Sequence, residues 1–316
     1  MSARSLSVVV PVYNSEGSLA PLVERLQAAL AGTHPDLEIV LVNDGGRDRS
    51  WAVIEELAAR FSSVQGINLM RNYGQHNALL CGIRAAAGAI IVTIDDDLQH
   101  PPEEVPRLLQ KLGECCDVVY GTPEHEQHGL WRDLASQVTK IALQEAMGAD
   151  TARTVSAFRA FRAEVREAFA TYRSPYVSID VLLTWGTTRF ASLAVRHEPR
   201  TIGASNYTFR KLVRHALNMM TGFSIRPLQL ASLVGFAFTL FGLAVLAYVV
   251  GRYLVEGTSV PGFPFLASVI AILSGAQLFA LGIMGEYLAR MHFRMMERPT
   301  YAVRQVLRAP RVPPET

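Results

Sequence analysis

The sequence predicts an α/β protein: a mostly parallel, doubly wound sheet, followed by a membrane-surface segment and a two-helix transmembrane hairpin. Two observations carry this reading. Residues 1–125 alternate strand patterns with apolar residues at helical spacing, which is the pattern of βαβ units. Nearer the C-terminus, two long apolar runs without a charge are each long enough to cross a bilayer. Composition agrees, since 50% of the 316 residues are hydrophobic and only 18% charged. A net charge of +2 gives no field for polyanions, so nucleic acid is not an expected partner.

The first strand is SLSVVVPVY, and SLAPLVERLQAAL after it carries a helical apolar face. LEIVLVND is the next strand and DRSWAVIEELAARF the next helix. Then come VQGINLM as strand, NALLCGIRAAAG as helix, AIIVTIDD as strand, PEEVPRLLQKL as helix and CDVVYGT as strand. The opening residues run straight into the first strand with no secretory-signal pattern. Cys81, Cys115 and Cys116 have neither metal-ligand spacing nor a disulfide framework, and reduced thiols in a cytosolic setting are expected.

The spans lie at about 228–250 and 263–284, and the first would be roughly 35 Å long as a helix. Pro261, Gly257 and Gly262 mark the loop between them. Arg210, Lys211, Arg214 and Arg226 precede the first span and Arg290, Arg294 and Arg298 follow the second, while the connecting region offers only Arg252. The positive-inside rule therefore puts both termini in the cytoplasm, with the chain in the inner membrane as a two-span protein. Gly275, Gly282 and Gly285 fall near one helical face, which would allow close packing within the hairpin or against a neighbouring subunit. Glu286 at the cytoplasmic end reads as an acid beside Arg290.

Ligands of open parallel sheets gather at the carboxyl ends of strands. Three predicted strand ends carry polar groups: Pro11–Tyr13, Asn43–Asp44 and Asp95–Asp97. No G-x-G-x-x-G follows the first strand, which argues against a dinucleotide site. Three consecutive carboxylates repel one another unless a cation compensates them. Asp95 and Asp97, with Gln99 two residues on, offer hard oxygen ligands to Mg²⁺ or Mn²⁺. Glu103 and Glu104 fall in the first turn of the following helix, where acids suit the dipole, and are read as structural. His76, His100, His125 and His128 form no zinc-type pair on one helix and are read as solvated or core residues.

The ordered runs VVVPVYNSEGSL, EIVLVNDGGRDRSW, RNYGQHNALLCGI, TIDDDLQHPPEE and GIMGEYLARMHFRMMERPTYAVRQV resemble the glycosyltransferase family 2 enzymes that act on polyprenyl phosphates. The resemblance covers essentially the whole chain. It implies a GT-A nucleotide-sugar-binding domain, a divalent metal, a nucleotide-sugar donor, most simply UDP-linked, and a polyprenyl phosphate acceptor such as undecaprenyl phosphate. It also implies a homo-oligomer, a tetramer in relatives. Carried over by position, Pro11 and Tyr13 line the nucleotide pocket and Asp44 accepts from the base. Arg71 and Gln75 flank the donor with Asp96 nearby, and Asp95, Asp97 and Gln99 hold the metal. Arg132 and Ser136, Ser156 and Arg159, and Arg200 and Ser205 match the family's acceptor-side motifs. Asn43, Ala157, Ala204 and Asn206 depart from the usual residues, which leaves the sugar and the acceptor details open. The implied organisation is a GT-A domain over 1–204, an amphipathic surface segment over 205–226, the hairpin over 227–288 and a cytoplasmic tail over 289–316.

The chemistry of the residues agrees. Cleaving a sugar–diphosphate bond builds negative charge on the leaving group, which a cation at Asp95 and Asp97 stabilises. A phosphate monoester acceptor is already a nucleophile near neutral pH, so no general base is required. Arg132, Arg159 and Arg200 suit such an anion, because a guanidinium grips phosphate bidentately. Two rival readings are a processive polysaccharide synthase and a non-catalytic scaffold that binds a nucleotide sugar. The first lacks its extra spans and its Gln-x-x-Arg-Trp motif; the second has no use for a metal site.

Overall fold

Strand β1 (Leu6–Val12) is buried at every position. Leu6, Val8, Val10 and Val12 point to one face of a sheet and Val9 to the other, as the period of two requires. A computed structural model describes residues 5–123, 155–174, 176–198, 226–257 and 262–308. Within it β1 is flanked by β2 (Leu37–Asn43) and β4 (Ile90–Thr93), both parallel to it. β3 (Val64–Leu69) extends the parallel set beyond β2. β5 (Val118–Pro123), β6 (Arg159–Arg162) and β7 (Phe190–Val195) complete one flank and β8 (Val303–Leu307) the other. The sheet runs β7-β5-β6-β4-β1-β2-β3-β8. β6 and β8 are antiparallel to their neighbours, so the sheet is mixed at both flanks.

Helices cover both faces. α1 (Leu19–Leu30), α2 (Ser50–Arg60) and α4 (Val105–Cys115) bury Leu22, Leu26, Ile54, Leu57, Leu108 and Leu112 in one core. α3 (Gln75–Ala85) and α5 (Ile179–Gly186) close the other with Leu79, Ile83, Ile179 and Leu182. Each fully buried side chain of this size contributes about 1.5–3 kcal/mol. A Cβ on Gly82 would lie 2.3 Å from Val9 Cγ1, so α3 reaches the sheet only because that position is glycine.

Two further helices follow: α6 (Arg226–Glu256) and α7 (Phe263–Met295). Each contains a stretch long and apolar enough to cross a membrane, Leu228–Val255 at mean hydropathy 2.4 and Ile272–Met295 at 1.3, with none of either window buried. The second helix starts at Phe263, where the sequence placed its span, and runs on past 284 to Met295. Gly257, at φ 64°, ends α6 in the left-handed conformation glycine tolerates. Among the described residues nothing lies within 4 Å of a Cβ built on Gly275, Gly282 or Gly285. Glu286 pairs with Arg290 at 2.8 Å one turn away, as read.

Within the segment read as a C-terminal tail, residues 303–307 form β8, paired with β3. The surface segment expected over 205–226 lies, but for its last residue, outside the described residues.

Candidate active site

β2 and β3 lie to one side of β1 and β4 to the other, so the chain's direction across the sheet reverses at the β1–β4 boundary. Open α/β sheets bind ligands at such a switch point, beyond the carboxyl ends of the strands. A cleft opens there, lined by Pro11, Val12, Tyr13, Asp44, Asn72, Gly74, Gln75, Asp95, Asp96 and Asp97. Of the sequence-predicted residues it gathers Pro11, Tyr13, Asp44, Gln75 and the three consecutive aspartates. Gly74 belongs to the YGQH run around Gln75 that was expected to flank the donor, whereas Asn72, from the same loop after β3, was not anticipated.

Asp44 is almost fully buried, and its two oxygens accept the amides of Tyr73 at 2.7 Å and Gly74 at 2.8 Å. Burial pushes its pKa up while those amides pull it down. Its first task is therefore to fold the 71–75 loop over the cleft. A hydrogen bond to a ligand's base must use its remaining lone pairs. Arg71 is not on the cleft wall; its guanidinium lies over the Tyr73 ring at 4.7 Å.

The three aspartates have three different surroundings. Asp96 Oδ2 accepts the Tyr13 amide at 3.1 Å and the Ser15 hydroxyl at 2.5 Å, tying the exit of β1 to the exit of β4. Asp96 thus organises the wall of the cleft that it also lines. Asp95 Oδ1 accepts from Gln75 Nε2 at 2.7 Å. Burial, Asp97 and then Asp96 push the Asp95 carboxyl up to about 7. Asp97 Oδ1 accepts the Gln99 amide at 3.1 Å, across Leu98 at φ 60°. A leucine in that conformation is uncommon and turns the chain sharply behind Asp97.

Asp95 and Asp97 stand close enough at the cleft mouth for each charge to disfavour the other, an arrangement that suits a hard divalent cation. Among the described residues no three His, Cys, Asp or Glu side chains form a complete metal site. Such an ion commonly takes the rest of its shell from water and ligand phosphate oxygens. Gln99, expected as a third ligand, is not on the cleft wall; its amide faces Asp97 and its carbonyl accepts the Glu198 amide at 2.8 Å.

Arg159 requires a correction. It was expected to grip an acceptor phosphate, but its side chain is one of the largest fully buried in the protein. Nε donates to Thr93 Oγ1 at 3.1 Å and Nη1 to Asp180, and Tyr120 donates to the same carboxylate at 3.3 Å. Its charge favours ionised Asp95, so it acts as a buried counter-charge beneath the acidic loop. Ser156 Oγ accepts the Phe158 amide at 3.2 Å, a local turn contact. Arg132, Ser136, Arg200 and Ser205 lie outside the described residues, as do His125 and His128. His76 Nδ1 accepts the Ile179 amide at 3.3 Å, a structural contact. The ring of His100 is enclosed against Phe158 and His197, and burial pushes its pKa down to about 4. Glu103 and Glu104 are structural as read: Glu103 pairs with Arg25 at 2.7 Å, and buried Glu104 with Arg196 at 2.7 Å and with Arg107.

The glycosyl transferase family 2 domain matches residues 7–172, which contain every residue lining the cleft. The chain belongs to glycosyltransferase family 2. It is 35% identical over 307 residues to an undecaprenyl-phosphate 4-deoxy-4-formamido-L-arabinose transferase of Pseudomonas aeruginosa, covering 96% of this chain and 91% of that one. The corresponding transferase of Pectobacterium atrosepticum is 33% identical over 309 residues, with 97% and 94% covered. Among solved structures, glucosyl-3-phosphoglycerate synthase of Mycobacterium tuberculosis, crystallised with Mn²⁺, UDP-glucose and phosphoglyceric acid, superposes with a TM-score of 0.51. It shares 19% identity and covers 70% of this chain and 78% of its own. The same enzyme with phosphoglyceric acid alone gives 0.50 at 20% identity. These likenesses fix the fold as GT-A-like. This family 2 member is a glycosyltransferase.

Proposed function

We propose that this transferase moves a sugar, with inversion, from a UDP-linked donor to a polyprenyl phosphate such as undecaprenyl phosphate at the cytoplasmic face of the inner membrane. One observation carries the reading: the acidic cleft and the two bilayer-length helices lie on one chain, and the similarity to the undecaprenyl-phosphate transferases spans both. A transferase with a soluble acceptor has no need of exposed helices of this hydropathy.

In this reading the donor's nucleotide occupies the pocket between Pro11–Tyr13 and the 71–75 loop, with its diphosphate toward Asp95 and Asp97. A bound Mg²⁺ or Mn²⁺ at those two carboxylates would neutralise the charge that develops on the diphosphate. An acceptor phosphate oxygen attacks the anomeric carbon as the bond to the diphosphate breaks, and the electron pair leaves with the nucleoside diphosphate. The acceptor is ionised already, so the chain supplies position and charge rather than a base. Gln75 and the buried Arg159 hold Asp95 in place; Asp96 fixes the β1 exit against it. The acceptor side falls to Arg132, Ser136, Arg200 and Ser205 by the family pattern. A tetrameric assembly is proposed on the same ground.

The test is a panel of UDP-sugars offered to the purified protein with undecaprenyl phosphate and Mn²⁺, with lipid products read by mass. One sugar per lipid phosphate is the expected product. A polymer, or donor hydrolysis that ignores the lipid, overturns the proposal. Excess chelator, or Asp97→Asn, should lower transfer by at least about 100-fold with an unchanged melting profile; undiminished transfer in chelator removes the metal from the mechanism.

A further inference from the structure

The cleft is reached by one segment from beyond the apolar helices. After α7 the chain turns back to the domain, burying Thr300 and packing the Tyr301 ring against the core cluster that contains α3 and Tyr73. The Arg84 guanidinium of α3 lies over the Tyr301 ring at 5.9 Å. The Met70 amide then donates to Ala302 O at 2.9 Å. The β3–β8 ladder pairs Asn68 with Gln305 and Leu69 with Val303, so Arg304 is the extra residue of a bulge. A bulge re-aims the side chain it carries, and here Arg304 Nη2 donates to Met70 O at 3.3 Å. Both backbone groups of Met70 are thus taken by the returning segment.

Met70 is the root of the loop that walls the cleft. Arg71 and Asn72 follow at once, so close to Gly45 that a Cβ there would be 2.5 Å from their backbone. The Tyr73 and Gly74 amides sit on Asp44, and Gln75 reaches Asp95. Six consecutive residues therefore link β8 to the acidic pair. Nothing else described holds the Met70 amide and carbonyl.

We propose that the return segment Thr300–Arg304 sets the position of the 70–75 loop and thereby the affinity for the nucleoside diphosphate part of the donor, with Tyr301 and Arg304 as its positioning residues. The ligand half of this rests on the donor reading above. It gives the protein a continuous path from the end of α7, five residues before Thr300, to the donor pocket. A sheet-edge strand with a purely structural role would change stability alone.

The experiment compares the full-length protein with Tyr301→Ala, Arg304→Gln, the double variant and Tyr301→Phe. Losing the Arg304 hydrogen bond and the Tyr301 ring packing at the root of the loop should weaken UDP–Mn²⁺ binding about 5- to 30-fold in the double variant, with kcat at saturating donor changed less than about threefold. Tyr301→Phe, which keeps the ring, should recover most of the affinity lost in Tyr301→Ala. Hydrogen exchange at the Tyr73 and Gly74 amides should quicken while α1 stays protected. Unchanged UDP affinity, or a loss of protection spread evenly over the domain, overturns the proposal. Should the double variant fail to fold, Arg304→Gln decides, because that side chain is exposed and its exchange readout needs no ligand; unaltered exchange at Tyr73 and Gly74 sinks the idea. A parent protein that binds no UDP refutes the donor reading instead, and exchange then judges the positioning alone.

Discussion

Arg159 and Asp180 sit under the acidic loop as a buried ion pair, with Thr93 and Tyr120 completing their hydrogen bonds. Removing one partner leaves the other charged and dry, which commonly costs 3–5 kcal/mol, whereas replacing both costs far less. Arg159→Met should therefore lower stability by about 3 kcal/mol, and Arg159→Met with Asp180→Leu should recover part of it. Thermal unfolding of the parent, the single and the double variant in one detergent checks the order; a double variant less stable than Arg159→Met contradicts it. Asp95 behaves oppositely, because its folded carboxyl is raised from 3.8 to about 7. Below the unfolded value both states are protonated and no penalty exists. The stability advantage of the protonated folded form is lost as pH rises through 7, where the full penalty applies. In chelator at pH 8, Asp95→Asn should be more stable than the parent by about 1–2 kcal/mol after allowing for solvent screening, and the gap should close toward pH 4. A gap that persists at pH 4 would assign the gain to packing rather than charge. The same variant should lose transfer, so the site holds charge at the expense of stability.

At the scale of elements, the strands that were legible in the sequence are those buried on both faces. β1, β2 and β4 read as continuous apolar runs because helices cover both sides, and β5 reads almost as well. β6 is only Arg-Ala-Phe-Arg, and the residue that anchors it is an arginine paired in the core, so its pattern resembles a polar loop. β8 is an exposed edge strand after a membrane-length helix, and its antiparallel partner is more than 230 residues away. The acidic triplet was legible because three adjacent carboxylates are costly without a purpose. The separate partners of Asp95, Asp96 and Asp97 were not, since they come from α3, the β1 exit and the chain two residues on. Asp44 shows the same limit: its residue type pointed to the site, but its contacts are with a loop. That loop depends on Gly45 at φ 64°, where any Cβ would strike the Arg71 carbonyl carbon at 2.5 Å. Gly45→Ala combines left-handed strain of about 1–2 kcal/mol with a displaced 71–72 backbone, and should weaken UDP binding by about tenfold or more. Gly46→Ala, with contacts no closer than 3.2 Å and no positive φ, is the control and should be much milder. Equal effects from the two would show that the close approach of the loop is unimportant.

For the whole molecule, two independent arguments support the proposed topology. The first is charge: arginines and lysine cluster before α6 and in the last turns of α7, and Arg252 alone lies near the turn between them. The second is connectivity. α6 follows the catalytic domain in the chain, and after α7 the residues 301–307 return to the same domain's sheet. On the proposed topology both outer ends of the two helices lie on the domain's side. Arg290 adds a contact at that end, its guanidinium over the Tyr176 ring at 4.5 Å. On the proposed topology the residues between α6 and α7 are the part carried to the far side. Exposed Cys115 of the catalytic domain is a native reporter for the near side, and Thr258→Cys supplies one for the turn. In intact spheroplasts a membrane-impermeant maleimide should label Thr258→Cys and leave Cys115 unmodified until the cells are lysed. Labelling of Cys115 in intact cells would place the domain outside and contradict the charge argument. Protection of both sites before lysis would mean that the hairpin lies in the interface without crossing, and only the argument that its two ends share a side would stand.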